Sequence, residues 1–121
     1  MATALIVEDV QVDRLIFTTY LEAAGWRVVV ALTGEEALTH LTGQNKPDIV
    51  FLDVILPGRS GFEICRTIKA DSFTQMIPVV ICSTKNTDMD RFWGLKQGAD
   101  LYLSKPVNRS EFLDALQRLV K

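Results

Sequence analysis

Residues 47–58 read PDIVFLDVILPG. Ile49, Val50, Phe51 and Leu52 form a short apolar run that stops at Asp53, and Pro57, Gly58, Ser60 and Gly61 mark a loop before a helical stretch from Phe62 to Ala70. An apolar run of this length between turn signals suits a strand buried on both faces. The unit recurs along the chain. Thr3 to Val7 stops at Glu8 and Asp9, and a second run covers roughly Arg27 to Ala31. Val79 to Cys82 follows Pro78 and ends at Ser83, while Leu101 to Ser104 ends at Lys105 and Pro106.

Amphipathic segments fill the intervals. Val12, Leu15, Ile16, Tyr20 and Leu21 fall three or four residues apart, with Gly25 placed as a C-terminal cap. Thr33 and Glu36 have capping-box spacing for a helix to about Leu41, and a helix through Trp93 and Leu95 stops near Gly98. Asn108 can cap the last helix, with Glu111 at its third position and Phe112, Leu113, Leu116, Leu119 and Val120 on the apolar side. Five such alternations predict an α/β fold: a parallel five-stranded sheet with helices on both faces, open and doubly wound as a (βα)5 flavodoxin-like arrangement. Ligands of such sheets bind outside the carboxyl ends of the strands.

The 121 residues suit one domain, 1–121. A hydrophobic share of 48% with 23% charged residues excludes intrinsic disorder and a coiled coil. Thirteen basic residues against fifteen acidic ones leave a formal charge of −2, so the basic surplus that nucleic-acid binding needs is missing. No apolar run is long enough for membrane insertion, and the first residues carry no basic targeting region. Cys65 and Cys82 have no C-x-x-C spacing and read as reduced, packed thiols, which suits a cytoplasmic protein.

A parallel sheet puts the residues that end its strands on one edge: Glu8 and Asp9, Asp53, Ser83 and Lys105. Three crowded carboxylates repel one another and push at least one pKa up. A divalent cation relieves that repulsion, and Mg²⁺ takes a few carboxylates, waters and a phosphate oxygen. Lys105 offers a compact positive charge, Ser83 a hydroxyl, and an Asp carboxylate can itself accept phosphate. The set reads as a Mg²⁺-dependent phosphoacceptor site.

In this order and spacing the chain resembles, over essentially its whole length, the receiver domains of two-component response regulators, the CheY-like fold. The matching stretches are LIVED at 5–9, PDIVFLD at 47–53, LPG at 56–58 with Gly61, IPVVICS at 77–83, Gly98-Ala99 and Lys105-Pro106. The resemblance implies strand order 2-1-3-4-5 and phosphorylation of Asp53 by a histidine kinase. It implies Mg²⁺ bound by Asp9, Asp53 and the Ile55 backbone carbonyl, with Glu8 acting partly through water. Lys105 would hold a phosphate oxygen, and its bond to Pro106 would be cis. Ser83 would move to the phosphate and let Tyr102 swing inward, remodelling the surface of the fourth helix, fifth strand and fifth helix, where a downstream protein docks. A receiver of this kind is a phosphorylated signalling module rather than a classical enzyme.

Glu8 stands where many receivers have Asp, and Ser83 where Thr is commoner. Ile55 and Lys85 occupy the positions that modulate phosphate hydrolysis in the family, and an apolar Ile55 offers no group to orient an attacking water. The segment STKNTDMDRFWGLKQGA at 83–99 further resembles PilH-type stand-alone receivers of twitching-motility and phototaxis pathways. Trp93 reads either as core or as part of a docking face. With the chain ending one helix after Pro106, the expected output is a protein contact, although an excised receiver of a larger regulator fits as well. A haloacid-dehalogenase-type phosphatase wants a second acid where Ile55 stands. An FMN-binding flavodoxin wants a hydroxyl- and glycine-rich loop where Glu8 to Asp13 stand. A degenerate, phosphorylation-independent scaffold is the remaining alternative.

Overall fold

The computed structural model describes residues 2–120. Five strands, β1 (Thr3–Val7), β2 (Arg27–Ala31), β3 (Ile49–Leu52), β4 (Val79–Ser83) and β5 (Leu101–Ser104), alternate with five helices. The helices are α1 (Gln11–Ala23), α2 (Gly34–Leu41), α3 (Gly61–Ala70), α4 (Asp88–Lys96) and α5 (Arg109–Leu119). All strand pairs are parallel, in the order β2-β1-β3-β4-β5.

The continuously apolar strands divide between two cores because successive side chains point to opposite faces. Leu5, Val7, Val50, Leu52, Val79 and Ile81 pack under Ala37 and Leu41 of α2 and Ile64, Cys65 and Ile68 of α3. Ala4, Ile6, Ile49, Phe51, Val80 and Cys82 pack under Phe17 and Leu21 of α1 and Phe112 and Leu116 of α5. Phe112 is the pivot of the second core, stacked 4.3 Å from Phe51 and 5.2 Å from Phe17 between ring centroids. Cys65 and Cys82 are both free and buried.

The caps follow the sequence with one modification. Asn108 Oδ1 accepts from the Glu111 amide at 2.8 Å, and Thr33 Oγ1 accepts from the Glu36 amide at 3.1 Å. The Glu36 carboxylate, however, reaches back to the Leu32 amide rather than to Thr33. A full reciprocal capping box forms instead at Thr87 and Asp90, which starts α4. Gly25 takes a left-handed φ of 86° just past α1, as a C-terminal glycine should.

The inward face of α1 corrects the sequence reading. Leu21 is buried as expected, but Val12 is 62% and Leu15 59% exposed, and it is Phe17 that faces the sheet. This helix carries more apolar residues than one stripe can bury, so a second apolar stripe of Val12, Leu15 and Ile16 lies on its surface.

Candidate functional site

Strand register assembles the site. Val7 pairs with Leu52, Leu52 with Ile81, and Ser83 with Ser104, so the residues that end β1, β3, β4 and β5 emerge along one edge. Backbone hydrogen bonds carry the register one step further: the Glu8 amide donates to the Ala31 carbonyl, that of Asp53 to Val7, and that of Lys105 to Ser83. Carboxylate oxygens of Glu8, Asp9 and Asp53 lie within 4.8 Å of one another. Glu8 is only 2% exposed, Asp53 is buried and Asp9 is open to solvent.

Lys105 is the local counter-charge. Its ammonium donates to Asp53 Oδ2 at 3.0 Å, to Asp13 Oδ2 at 2.8 Å, and to Glu8 Oε1. Burial alone would lower the Lys105 pKa, but the bonds to Asp13, Glu8 and Asp53 outweigh it and hold the group above its ordinary value. Glu8 moves the other way from a simple ion pair. Burial, with the Asp53 charge adding to it, pushes its carboxyl up to about 7, and the Lys105 hydrogen bond only partly opposes this. A buried carboxyl that one ammonium fails to keep acidic, beside two more carboxylates, is a donor set that fits a hard divalent cation.

The backbone is shaped around Asp53. A Cβ on Gly61 would lie 1.9 Å from the Asp53 carbonyl oxygen and 2.8 Å from Val54 Cα, so the first residue of α3 has no room for a side chain. Its amide donates to the Val54 carbonyl at 2.8 Å, pulling the helix start against the loop that carries Asp53. Ile55 donates its amide to Asp53 Oδ1 at 3.3 Å and leaves its side chain exposed. The Lys105–Pro106 peptide is cis.

Ser83 is fully buried, and its Oγ accepts from the Lys85 amide at 3.2 Å. The Lys85 ammonium reaches Asp90 at 3.8 Å. Tyr102, read as turning inward when Ser83 moves, is already inward and 7% exposed, its hydroxyl donating to the Lys85 carbonyl. The Arg91 guanidinium sits 5.6 Å from the Tyr102 ring centroid and donates to the Tyr102 carbonyl at 3.2 Å and to Ser104 Oγ. Gly94 supplies the space: a Cβ there would lie 2.7 Å from two ring carbons of Tyr102.

Trp93 is 48% exposed, which resolves its two readings toward the surface. With Met89, Ile55, Leu56 and Phe62 it lines an open groove of about 550 Å³ beside the Asp53 loop. Two participants escaped the sequence reading. Asp13 appeared there only as part of an acidic loop, and Arg91 did not appear as a contact of Tyr102. Asp13 lies one helical turn beyond Asp9, a spacing that could have placed it at the edge, whereas Arg91 bridges two elements and leaves no local signal.

The comparisons with known proteins agree with this arrangement. The family described as Response regulator receiver domain matches residues 4–117. Protein PilH of Pseudomonas aeruginosa is 38% identical over 120 residues, covering 99% of this chain and 98% of that protein. The transcriptional regulatory protein AfsQ1 of Streptomyces coelicolor is 40% identical over 120 residues, but the chain spans 51% of its length. A putative response regulator from Chloroflexus aurantiacus superposes with a TM-score of 0.93 at 30% identity, over 98% of this chain and 96% of that one. The chemotaxis protein CheY4 of Vibrio cholerae gives a TM-score of 0.90 at 30% identity, covering 99% of both chains. Among the described residues no helix is long and apolar enough to cross a membrane. With its sheet order, its acidic edge and these matches, the chain belongs to the response regulator receiver domain family.

Proposed function

We propose that the chain is a single-domain response regulator that accepts a phosphoryl group from a histidine kinase on Asp53 and passes the signal to a protein partner. The observation that carries this reading is Lys105, bonded to Asp53 at 3.0 Å where the Glu8, Asp9 and Asp53 carboxylates converge. In the step, a carboxylate oxygen of Asp53 forms a bond to phosphorus as the P–N bond of the kinase phosphohistidine breaks. The bond's electron pair returns to the imidazole nitrogen, so a protonated ring leaves as neutral imidazole. Lys105 neutralises phosphoryl oxygen charge, and Ser83 supplies a hydroxyl to the same group. Glu8, Asp9, Asp53 and the Ile55 carbonyl would hold Mg²⁺, which when bound screens charge between the carboxylates and the incoming phosphoryl oxygens.

Output runs through the surface of α4, β5 and α5. The exposed side chains Met89, Phe92, Trp93 and Leu95 support docking on α4, because aromatic anchors dominate interface energetics. Ile55 and Lys85 flank the acceptor and set the phosphoryl lifetime, with apolar Ile55 lengthening it. A place in motility or taxis control rests on the likeness to PilH and on the PilH-type segment at 83–99. A cytoplasmic location follows from that role.

The test is intact mass after incubation with a small phosphodonor and Mg²⁺, beside Asp53→Asn and EDTA controls. One phosphoryl adduct that needs both Asp53 and Mg²⁺ is expected. Folded protein with no adduct would sink the reading in favour of a phosphorylation-independent scaffold.

A further inference from the structure

An ammonium has three N–H donors, and those of Lys105 meet three carboxylates from three different elements. Glu8 follows β1, Asp53 follows β3, and Asp13 lies in the first turn of α1. The Lys105 side chain is 7% exposed, so solvent is a poor substitute for any of the three. Asp13 is the most open of the acceptors, yet at 2.8 Å its bond is shorter than that to Asp53. Asp13 lies in the first turn of α1, whose N-cap residue Val10 makes no side-chain cap bond.

We propose that Asp13 is a positioning residue for phosphoryl transfer, holding with Glu8 two of the three Lys105 N–H groups so that the third is aimed at Asp53 and then at the phosphoryl group it receives. The proposal rests on Asp53 being the phosphoacceptor. When a carboxylate oxygen of Asp53 becomes the ester oxygen of an acyl phosphate, it loses its charge and weakens as an acceptor. The third N–H then passes to a phosphoryl oxygen while the other two stay where they are. The ammonium therefore needs little reorganisation, which is the condition under which a fixed charge lowers a barrier most. Without Asp13 the ammonium is anchored by Glu8 alone and can tilt away from the acceptor.

Acetyl phosphate is a suitable probe, since its transfer balances without a proton: the Asp53 oxygen bonds to phosphorus, the P–O bond to the acetyl group breaks, and acetate leaves with the electron pair. Adduct formation is followed by intact mass across a range of acetyl phosphate concentrations at saturating Mg²⁺. Asp13→Ala is expected to lower the maximal rate roughly tenfold, the effect of one charge-assisted hydrogen bond, without raising the half-saturating concentration. In a Lys105→Met background the same substitution should lower the rate no further. A second readout needs neither metal nor donor: in EDTA, urea unfolding of the four proteins of that cycle should show a coupling of roughly tenfold in the unfolding equilibrium constant.

Wild-type protein that forms an adduct while Asp13→Ala matches it in rate and shows no coupling to Lys105 would overturn the positioning role alone. Equal slowing by Asp13→Ala with and without Lys105 would overturn it too. Wild-type protein that forms no adduct would instead remove the phosphoacceptor reading beneath it.

Discussion

The space beside Gly94 offers a test of how Tyr102 is held. An alanine Cβ at Gly94 would sit 2.7 Å from Tyr102 Cδ2 and Cε2, and 3.2 Å from Ile81 Cδ1. Carbon atoms in ordinary contact are about 3.5–4.0 Å apart, so the ring would have to retreat by about 1 Å. It has little freedom to do so, since its hydroxyl is bonded to the Lys85 carbonyl and Arg91 lies over its face. Overpacking of this kind costs about 1–3 kcal/mol, and the strained hydroxyl bond about 1 kcal/mol more. Against this, Ala is better than Gly inside a helix by roughly 0.5–1 kcal/mol. Gly94→Ala should therefore destabilise the protein by about 1–3 kcal/mol. With the ring removed by Tyr102→Ala the one tight contact left is with Ile81 Cδ1, a side-chain end that can move into the vacated space. The helix preference then dominates, and the same substitution should stabilise by up to about 0.5–1 kcal/mol. Urea unfolding of the wild type, both single variants and the double variant, followed by far-UV circular dichroism, reads the reversal directly. A Gly94→Ala effect of the same sign and size in both backgrounds would refute the assignment of Tyr102 as the group that occupies this space.

Gly61→Ala should be more severe, because the atoms in its way are the Asp53 carbonyl and the Val54 backbone, and a loss of about 3 kcal/mol or more is expected from the urea midpoint. Lys105→Met leaves Glu8, Asp13 and Asp53 facing one another without their ammonium, and in EDTA it should lose about 3–5 kcal/mol. Millimolar Mg²⁺ should raise the melting temperature of this variant more than that of the wild type, and the reverse order in thermal scans would count against cation binding at these acids. Burial pushes the Cys65 thiol up to about 11 and raises Cys82 as well. At pH 8 roughly one Cys65 thiol in a thousand is then thiolate, so native protein should be inert to a disulfide reagent and guanidinium should release two reactive thiols. Fast modification of the native protein would contradict the buried placement.

What the sequence disclosed and what it withheld have the same physical origin. The strands were legible because four of the five apolar runs, all but β2, stop abruptly at a charge or a hydroxyl, and that interruption is also what puts Asp53, Ser83 and Lys105 on the edge. The wrong face of α1 was legible too: Val12, Leu15 and Ile16 satisfy a helical period as well as Phe17 and Leu21 do, and periodicity cannot rank two apolar stripes on one helix. Contacts between distant elements left no local trace. Lys105 meets Asp13 across 92 positions, and Arg91 meets Ser104 between a helix and a strand. The inward placement of Tyr102 depends on a glycine in another element, a dependence that no propensity encodes.

The acidic edge breaks a rule that the rest of the chain obeys. Among the described residues every buried side-chain polar atom has a partner, at the edge as elsewhere, but away from the edge the sheet interior is apolar on both faces. At the edge three carboxylates, Glu8, Asp13 and Asp53, meet one ammonium, Asp9 lies beside Glu8 and Asp53, and Glu8 is held up to about 7 even with Lys105 against it. Hydrogen bonding there is complete while charge is not, since three N–H groups satisfy three acids geometrically but supply a single positive charge. Such a site is already organised for geometry and unbalanced in electrostatics, so a cation, or the conversion of one carboxylate into an acyl phosphate, would change its charge balance more than its hydrogen-bond geometry. The same ammonium sits on the residue after Ser104, whose hydroxyl Arg91 holds, and Arg91 in turn covers Tyr102. A continuous set of contacts thus runs from the acidic edge along β5 to α4, outside the packed sheet.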